Sequence, residues 1–183
     1  ASGVLGTPTL IKGFDINSAT SINLGHTLQY AKIEDCKIGG SANAIRVGST
    51  ANVAHVEFVG LTFYNNDIDV YFANDNLVGA STVDNVVFDN CVFSGKGKGI
   101  YAEKLSNAVI KNSTFTDVGN LTDSVHSYYG QAIDINLKWA DYTNITIHDT
   151  TFTNSGNGPG TGNVGGSAIG IKARGTGTDS GYF

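Results

Sequence analysis

The chain has 183 residues, one domain's length, and its 40% apolar and 15% charged composition supplies a core while excluding a disordered tail. Eleven Lys and Arg against sixteen Asp and Glu give a net charge of −5, and no basic stripe concentrates the cations, so nucleic acid is not an expected partner. No apolar run approaches the roughly 20 residues needed to cross a bilayer, so membrane insertion is not expected either.

The chain opens Ala1-Ser2-Gly3 and contains no Met, which reads as a mature chain or a piece of a longer one. From there it repeats itself. Leu10 to Ile16 (LIKGFDI) has two alternating apolar pairs around a short polar break, and a shorter strand, SINL, follows. The same two-part unit returns as KIEDCKI (Lys32 to Ile38) with AIRV, and as EFVGLTF (Glu57 to Phe63) with DIDV. It returns again as VFDNCVF (Val87 to Phe93) with GIYA, VIKNSTF (Val109 to Phe115) with AIDI, and TIHDTTF (Thr146 to Phe152) with AIGI. The isoleucines of the short strands, Ile22, Ile45, Ile68, Ile100, Ile133 and Ile169, are 23, 23, 32, 33 and 36 residues apart. A base period in the low twenties with additions of about ten describes a solenoid whose rungs stay fixed while its loops grow. Period-2 alternation and Gly-Asn-Asp-Ser turns exclude helical repeats.

The break inside each long unit ends at Gly13, Asp35, Gly60, Asn90, Asn112 and Asp149. These residue types tolerate the left-handed backbone of a sharp corner, and their side chains can bond along the stacking axis. Cys36 and Cys91 hold equivalent positions two coils apart, about 9 to 10 Å at strand spacing. A disulfide needs Cα atoms within about 7 Å, so two free buried thiols are expected and no metal site.

On these units the chain resembles the right-handed parallel β-helix of the pectate-lyase-like superfamily. The resemblance runs from about Leu10 to Arg174 and implies an all-β, single-stranded solenoid of about six coils, residues 1–183 forming a single β-helix domain. That superfamily hosts glycoside hydrolases, polysaccharide lyases, epimerases and adhesins, so it implies architecture before activity. A secreted or cell-surface location goes with it.

If each marker isoleucine points inward, the next residue points out. The first outward column then reads Asn23, Arg46, Asp69, Tyr101, Asp134, Gly170, and the second Gly25, Gly48, Tyr71, Glu103, Asn136, Lys172. A third ends in Lys138 and Arg174. Acids Asp69, Glu103 and Asp134, aromatic rings Tyr71 and Tyr101, and cations Lys138, Lys172 and Arg174 suit a polysaccharide cleft. The plainer alternative is a polar exterior with cross-strand ion pairs of little energy. The long connection Thr116 to Gln131 brings His126, Tyr128 and Tyr129 towards Asp134, while Thr153 to Ser167 reads as a lid or spacer. Trp139 is a further surface for stacking a sugar.

A glycoside hydrolase would use paired carboxylates, Asp69 with Asp134 or Glu103 with either. Asp134 and Asp141 form a local pair with a weak similarity to the β-helical lacto-N-biosidase family. A lyase or epimerase would instead use Lys138, Lys172 and Arg174, with Ca²⁺ on Asp69 or Asp134; otherwise no cofactor is expected. The third class of reading is non-catalytic. No amphipathic helix opens the chain to cap it, so bare ends would stack end to end in an adhesin or fibre, or meet the remainder of a longer chain.

Overall fold

Alternation and corner residues together produce the expected all-β solenoid in the computed structural model, which describes residues 3–17, 22–74, 81–95, 97–121, 130–138, 142–158 and 166–174. Each coil contributes three strands. The first holds β1 (Thr9–Lys12), β2 (Asp15–Asn17) and β3 (Ile22–Leu24), and the second β4 (Leu28–Glu34), β5 (Lys37–Gly39) and β6 (Asn43–Val47). The third holds β7 (Val53–Val59), β8 (Thr62–Tyr64) and β9 (Ile68–Phe72), and the fourth β10 (Val83–Asp89), β11 (Val92–Ser94) and β12 (Lys98–Ala102). The fifth holds β13 (Ser106–Lys111), β14 (Thr114–Thr116) and β15 (Gln131–Lys138), and the sixth β16 (Ile145–His148), β17 (Thr151–Thr153) and β18 (Ser167–Arg174). Equivalent strands stack into three six-stranded parallel sheets, running from β1 to β16, β2 to β17 and β3 to β18.

The expected corner is present. Gly13, Asp35, Gly60, Asn90, Asn112 and Asp149 all have positive φ, between 49 and 75°. Two further left-handed columns, which the reading of the sequence missed, bend the second to sixth coils again. One is Gly40, Asn65, Gly95, Asp117 and Asn154; the other is Tyr30, His55, Asn85, Asn107 and Asn144. Axial side-chain bonding is clearest in the last column, where Asn144 Nδ2 donates to Asn107 Oδ1 at 2.9 Å and Asn107 Nδ2 to Asp84 Oδ1 at 2.7 Å.

A continuous apolar cluster fills the coils. Phe63, Phe93, Phe115 and Phe152 stack along the axis with centroids 4.9, 4.2 and 4.9 Å apart. Cys36 and Cys91 are free and buried, as expected, and burial pushes the Cys91 thiol up to about 11. At the two ends Leu10, Phe14, Ile169 and Ile171 remain exposed.

One register differs from the sequence reading. Ile45 pairs with Val70, and Val70 with Ile100, so the inward marker of the third coil is Val70; Ile68 pairs with Asn43 and Lys98. Residues two apart share a face in a regular strand, which is why alternation alone does not detect a two-residue slip. Tyr71 therefore belongs to the first outward column, between Arg46 and Tyr101, and Asp69 leaves it.

Candidate functional site

The third sheet gathers the charged and aromatic groups. Arg46, Tyr71, Tyr101, Asp134 and Gly170 follow one another down the column on β6, β9, β12, β15 and β18. The Tyr71 and Tyr101 rings stack 4.9 Å apart at 8°, and the Arg46 guanidinium carbon lies 5.8 Å from the Tyr71 centroid. Such ring pairs and cation–π contacts each contribute about 0.5–1.5 kcal/mol beyond area burial.

Two ion-pair centres occupy the rest of the face. Asp134 Oδ2 takes the ammonium of Lys98, and its Oδ1 lies 3.3 Å from Lys172 Nζ. Lys98 Nζ also sits 4.4 Å from the Tyr101 centroid. Burial depresses the Lys98 pKa, against the opposing pull of Asp134. Glu103 Oε1 pairs with Lys138 Nζ and accepts from Tyr101 OH at 2.9 Å. Its Oε2 accepts from Tyr71 OH at 3.1 Å and from the Asn74 backbone N–H at 2.7 Å. Asn136 Nδ2 donates to Tyr101 OH at 3.1 Å. Burial first, and the Glu103 charge second, raise the Tyr101 pKa, so this phenol keeps its proton and serves as a donor.

The expectation of an open acidic face is corrected here. Asp134, Glu103 and Asn136 are 2%, 2% and 4% exposed, and every carboxylate oxygen of the two acids already has a donor. Asp69 is corrected further. Its register neighbour is Gly99, where a Cβ would stand 2.6 Å from Phe115 Cε1, so that position looks into the core. Asp69 is buried and accepts from Asn66 Nδ2 at 2.8 Å. Burial raises its pKa well above the carboxylate range, opposed only in part by that hydrogen bond. The Asp69 and Asp134 pairing across two coils therefore does not form.

That neutral carboxyl has a measurable consequence. In the unfolded chain Asp69 ionises above about pH 4, whereas folding holds the proton, so stability falls as pH rises from there through the raised folded pKa. Asp69→Asn keeps the shape without the ionisation. It should raise stability at pH 8 relative to the wild type, with little gain near pH 4. Urea unfolding across this range checks it, and an equal effect at both ends would rule out a buried neutral Asp69.

Lys98 and Asn74 enter the site unanticipated. Lys98, set between Gly97 and Gly99, opens β12 and reaches Asp134. Strict alternation would put Lys98 on the same inward face as Ile100, so no signal in the sequence placed it beside Asp134. Lys104 was missed as well: it is fully buried, with Nζ donating to the carbonyls of Gly48 and Ala51 at 2.9 Å and to Ser81 Oγ at 2.8 Å. Asp141, His126, Tyr128, Tyr129 and Trp139, and the side chain of Arg174, lie outside the described residues; the Arg174 backbone pairs with Lys138. Among the described residues no three His, Cys, Asp or Glu side chains converge as metal ligands.

Compared with known proteins, the chain matches no protein-family model, no curated protein and no solved structure.

Proposed function

We propose that this β-helix is a carbohydrate-active protein of the pectate-lyase-like kind, secreted or displayed at the cell surface, that engages an acidic polysaccharide along the outer face of its third sheet. One observation carries the reading. Arg46, Lys98, Lys138 and Lys172 face two carboxylates, Asp134 and Glu103, so the described side chains of this face are net cationic on a chain whose total charge is −5. Stacked Tyr71 and Tyr101 add ring surface beside those cations.

Of the cleaving chemistries, elimination or epimerisation fits this face better than hydrolysis. A hydrolase needs one carboxyl that can hand a proton to the leaving oxygen, and both acids here are tied to ammonium groups. A uronate-directed reaction asks instead for cations that stabilise charge next to a carboxylate. Lys172 is the more accessible partner of Asp134, its side chain 14% exposed against 4% for Lys98, and is the group placed to meet a uronate.

The test offers polygalacturonate, alginate and neutral glucans to the full chain, scoring binding, new reducing ends and the ultraviolet absorbance of unsaturated products. Salt-sensitive binding of an acidic polymer, weakened about tenfold or more in Lys172→Ala, is expected. Equal binding of neutral and acidic polymers would overturn the charge argument. A protein that ignores all of them and sediments as concentration-dependent oligomers would support the second reading, end-to-end self-association, favoured by exposed Leu10 and Phe14 at one end and Ile171 at the other.

A further inference from the structure

The third left-handed column changes character along its length. Asn85, Asn107 and Asn144 hold φ of 52, 49 and 57°, a conformation asparagine adopts readily. In the two preceding coils Tyr30 and His55 adopt the same conformation, at 52 and 54°. For a bulky tyrosine that geometry costs on the order of a kilocalorie, and such strain collects at binding sites; histidine enters this region more readily. Asparagine would serve the corner better, so the two rings need another reason to be there.

Both rings line a groove of about 310 Å³, at the lower end of the roughly 300–1,000 Å³ that small-ligand sites occupy. They stack on each other 4.6 Å apart at 3°. Across the groove stands a turn closed by the Val4–Thr7 bridge, which holds Val4 and Leu5 63% and 82% exposed. Glu57 and Asn85 supply the polar side. Asn85 Nδ2 lies 2.7 Å from His55 Nδ1; the amide donates, so Nδ1 accepts and the imidazole proton sits on Nε2. Among the described residues nothing accepts that proton, and no hydrogen bond reaches the Glu57 carboxylate. Lys32, opposite Glu57 in register, places its ammonium 2.7 Å from Glu34. The contrast with the third sheet is direct: there the polar groups are consumed by one another, and here, among the described residues, a donor and an acceptor have no hydrogen-bond partner, Lys32 acting on Glu57 only through its charge.

We propose that this groove is a saccharide-binding site selective for a neutral sugar. A pyranose presents an apolar C–H face for Tyr30, His55 and the Val4–Leu5 turn, and hydroxyls that take the Nε2 proton and donate to Glu57. A flat aromatic ligand would leave both of those groups unused. An anionic sugar would meet the Glu57 charge, which separates this site from the cationic face of the third sheet by ligand as well as by position.

The experiment titrates the ¹⁵N-labelled full chain with cellobiose, lactose, N,N′-diacetylchitobiose and digalacturonate, following backbone amide shifts. Shifts at Leu5, Tyr30, His55 and Asn85 are expected with at least one neutral disaccharide. His55→Asn and Tyr30→Asn should each weaken binding about tenfold or more while the thermal midpoint holds or rises, because asparagine relieves the corner. Glu57→Gln, on the exposed side of β7, tests the acceptor without touching the backbone. No shift at these amides with any neutral sugar, wild-type affinity in both His55→Asn and Glu57→Gln, or tighter binding of digalacturonate here would each overturn the proposal.

Discussion

Truncating Phe93 to alanine is expected to cost about 3–5 kcal/mol. Phe93 lies between Phe63 and Phe115 in the axial stack, with centroids 4.9 and 4.2 Å away, and its side chain is wholly buried. A solenoid is held together by contacts between neighbouring coils. Removing the ring therefore opens a void against both neighbours at once, in an interior too tightly packed to close over it. Phe152 is the control. Among the described residues it stacks only on Phe115, at 4.9 Å, and it is only partly buried in the last coil, so Phe152→Ala should cost well under half as much. Urea unfolding should show a lowered midpoint with an unchanged slope for Phe93→Ala. Equal costs at the two positions would mean that stability is not transmitted coil to coil.

The stack is also the part of the fold most legible in the sequence. Phe63, Phe93, Phe115 and Phe152 each follow a Gly, Asn or Asp by three residues, so the period and the inward face could be read together. The third coil was misread because Ile68 and Val70 are equivalent to an argument based on alternation. The second corner would have decided it. Gly40, Asn65 and Gly95 each precede the inward residue, Ile45, Val70 or Ile100, by five positions. That corner was not recognised because Gly and Asn are too frequent in this chain to stand out singly.

The state of the site was less legible than its membership. Alternation placed Glu103, Asp134, Tyr101, Lys138 and Lys172 on one face, and the structure joins them. It could not say that Asp134 and Glu103 would be desolvated, since the side a residue leaves the strand says nothing of what lies over it. Nor could it supply Lys98, whose neighbours Gly97 and Gly99 looked like turn residues. Gly97 is needed for close approach: a Cβ there would lie 2.1 Å from the Asp67 carbonyl oxygen. The third corner was missed for the opposite reason, because a search for Gly, Asn and Asp passes over Tyr30 and His55.

Asp134→Asn should destabilise the fold by about 3–5 kcal/mol, the cost of leaving a buried charge without its partner. Lys98 and Asp134 are 4% and 3% exposed at the side chain, so water does little to screen either. With the carboxylate gone, the Lys98 ammonium keeps the Tyr101 ring and the weaker attraction of Glu103 but loses its ion-pair acceptor while Lys172 stays beside it. Its pKa, already depressed by burial, loses the main influence holding it up. A lysine with a folded pKa below its unfolded value of about 10.4 takes up a proton on unfolding, so the variant's stability should fall as pH drops through the folded pKa and recover as pH rises. The penalty measured by urea unfolding should therefore shrink as pH rises towards about 10. Replacing the pair together, as Lys98→Met with Asp134→Leu, should bring stability back to within about 1 kcal/mol of the wild type or above it. Loss of activity in Asp134→Asn alone would thus report on folding before it reported on chemistry. A single-variant cost under about 1 kcal/mol would reverse that inference: the pair would then be solvated, Asp134 would be free to meet substrate, and a carboxylate-based hydrolase would regain the acid that this geometry withholds.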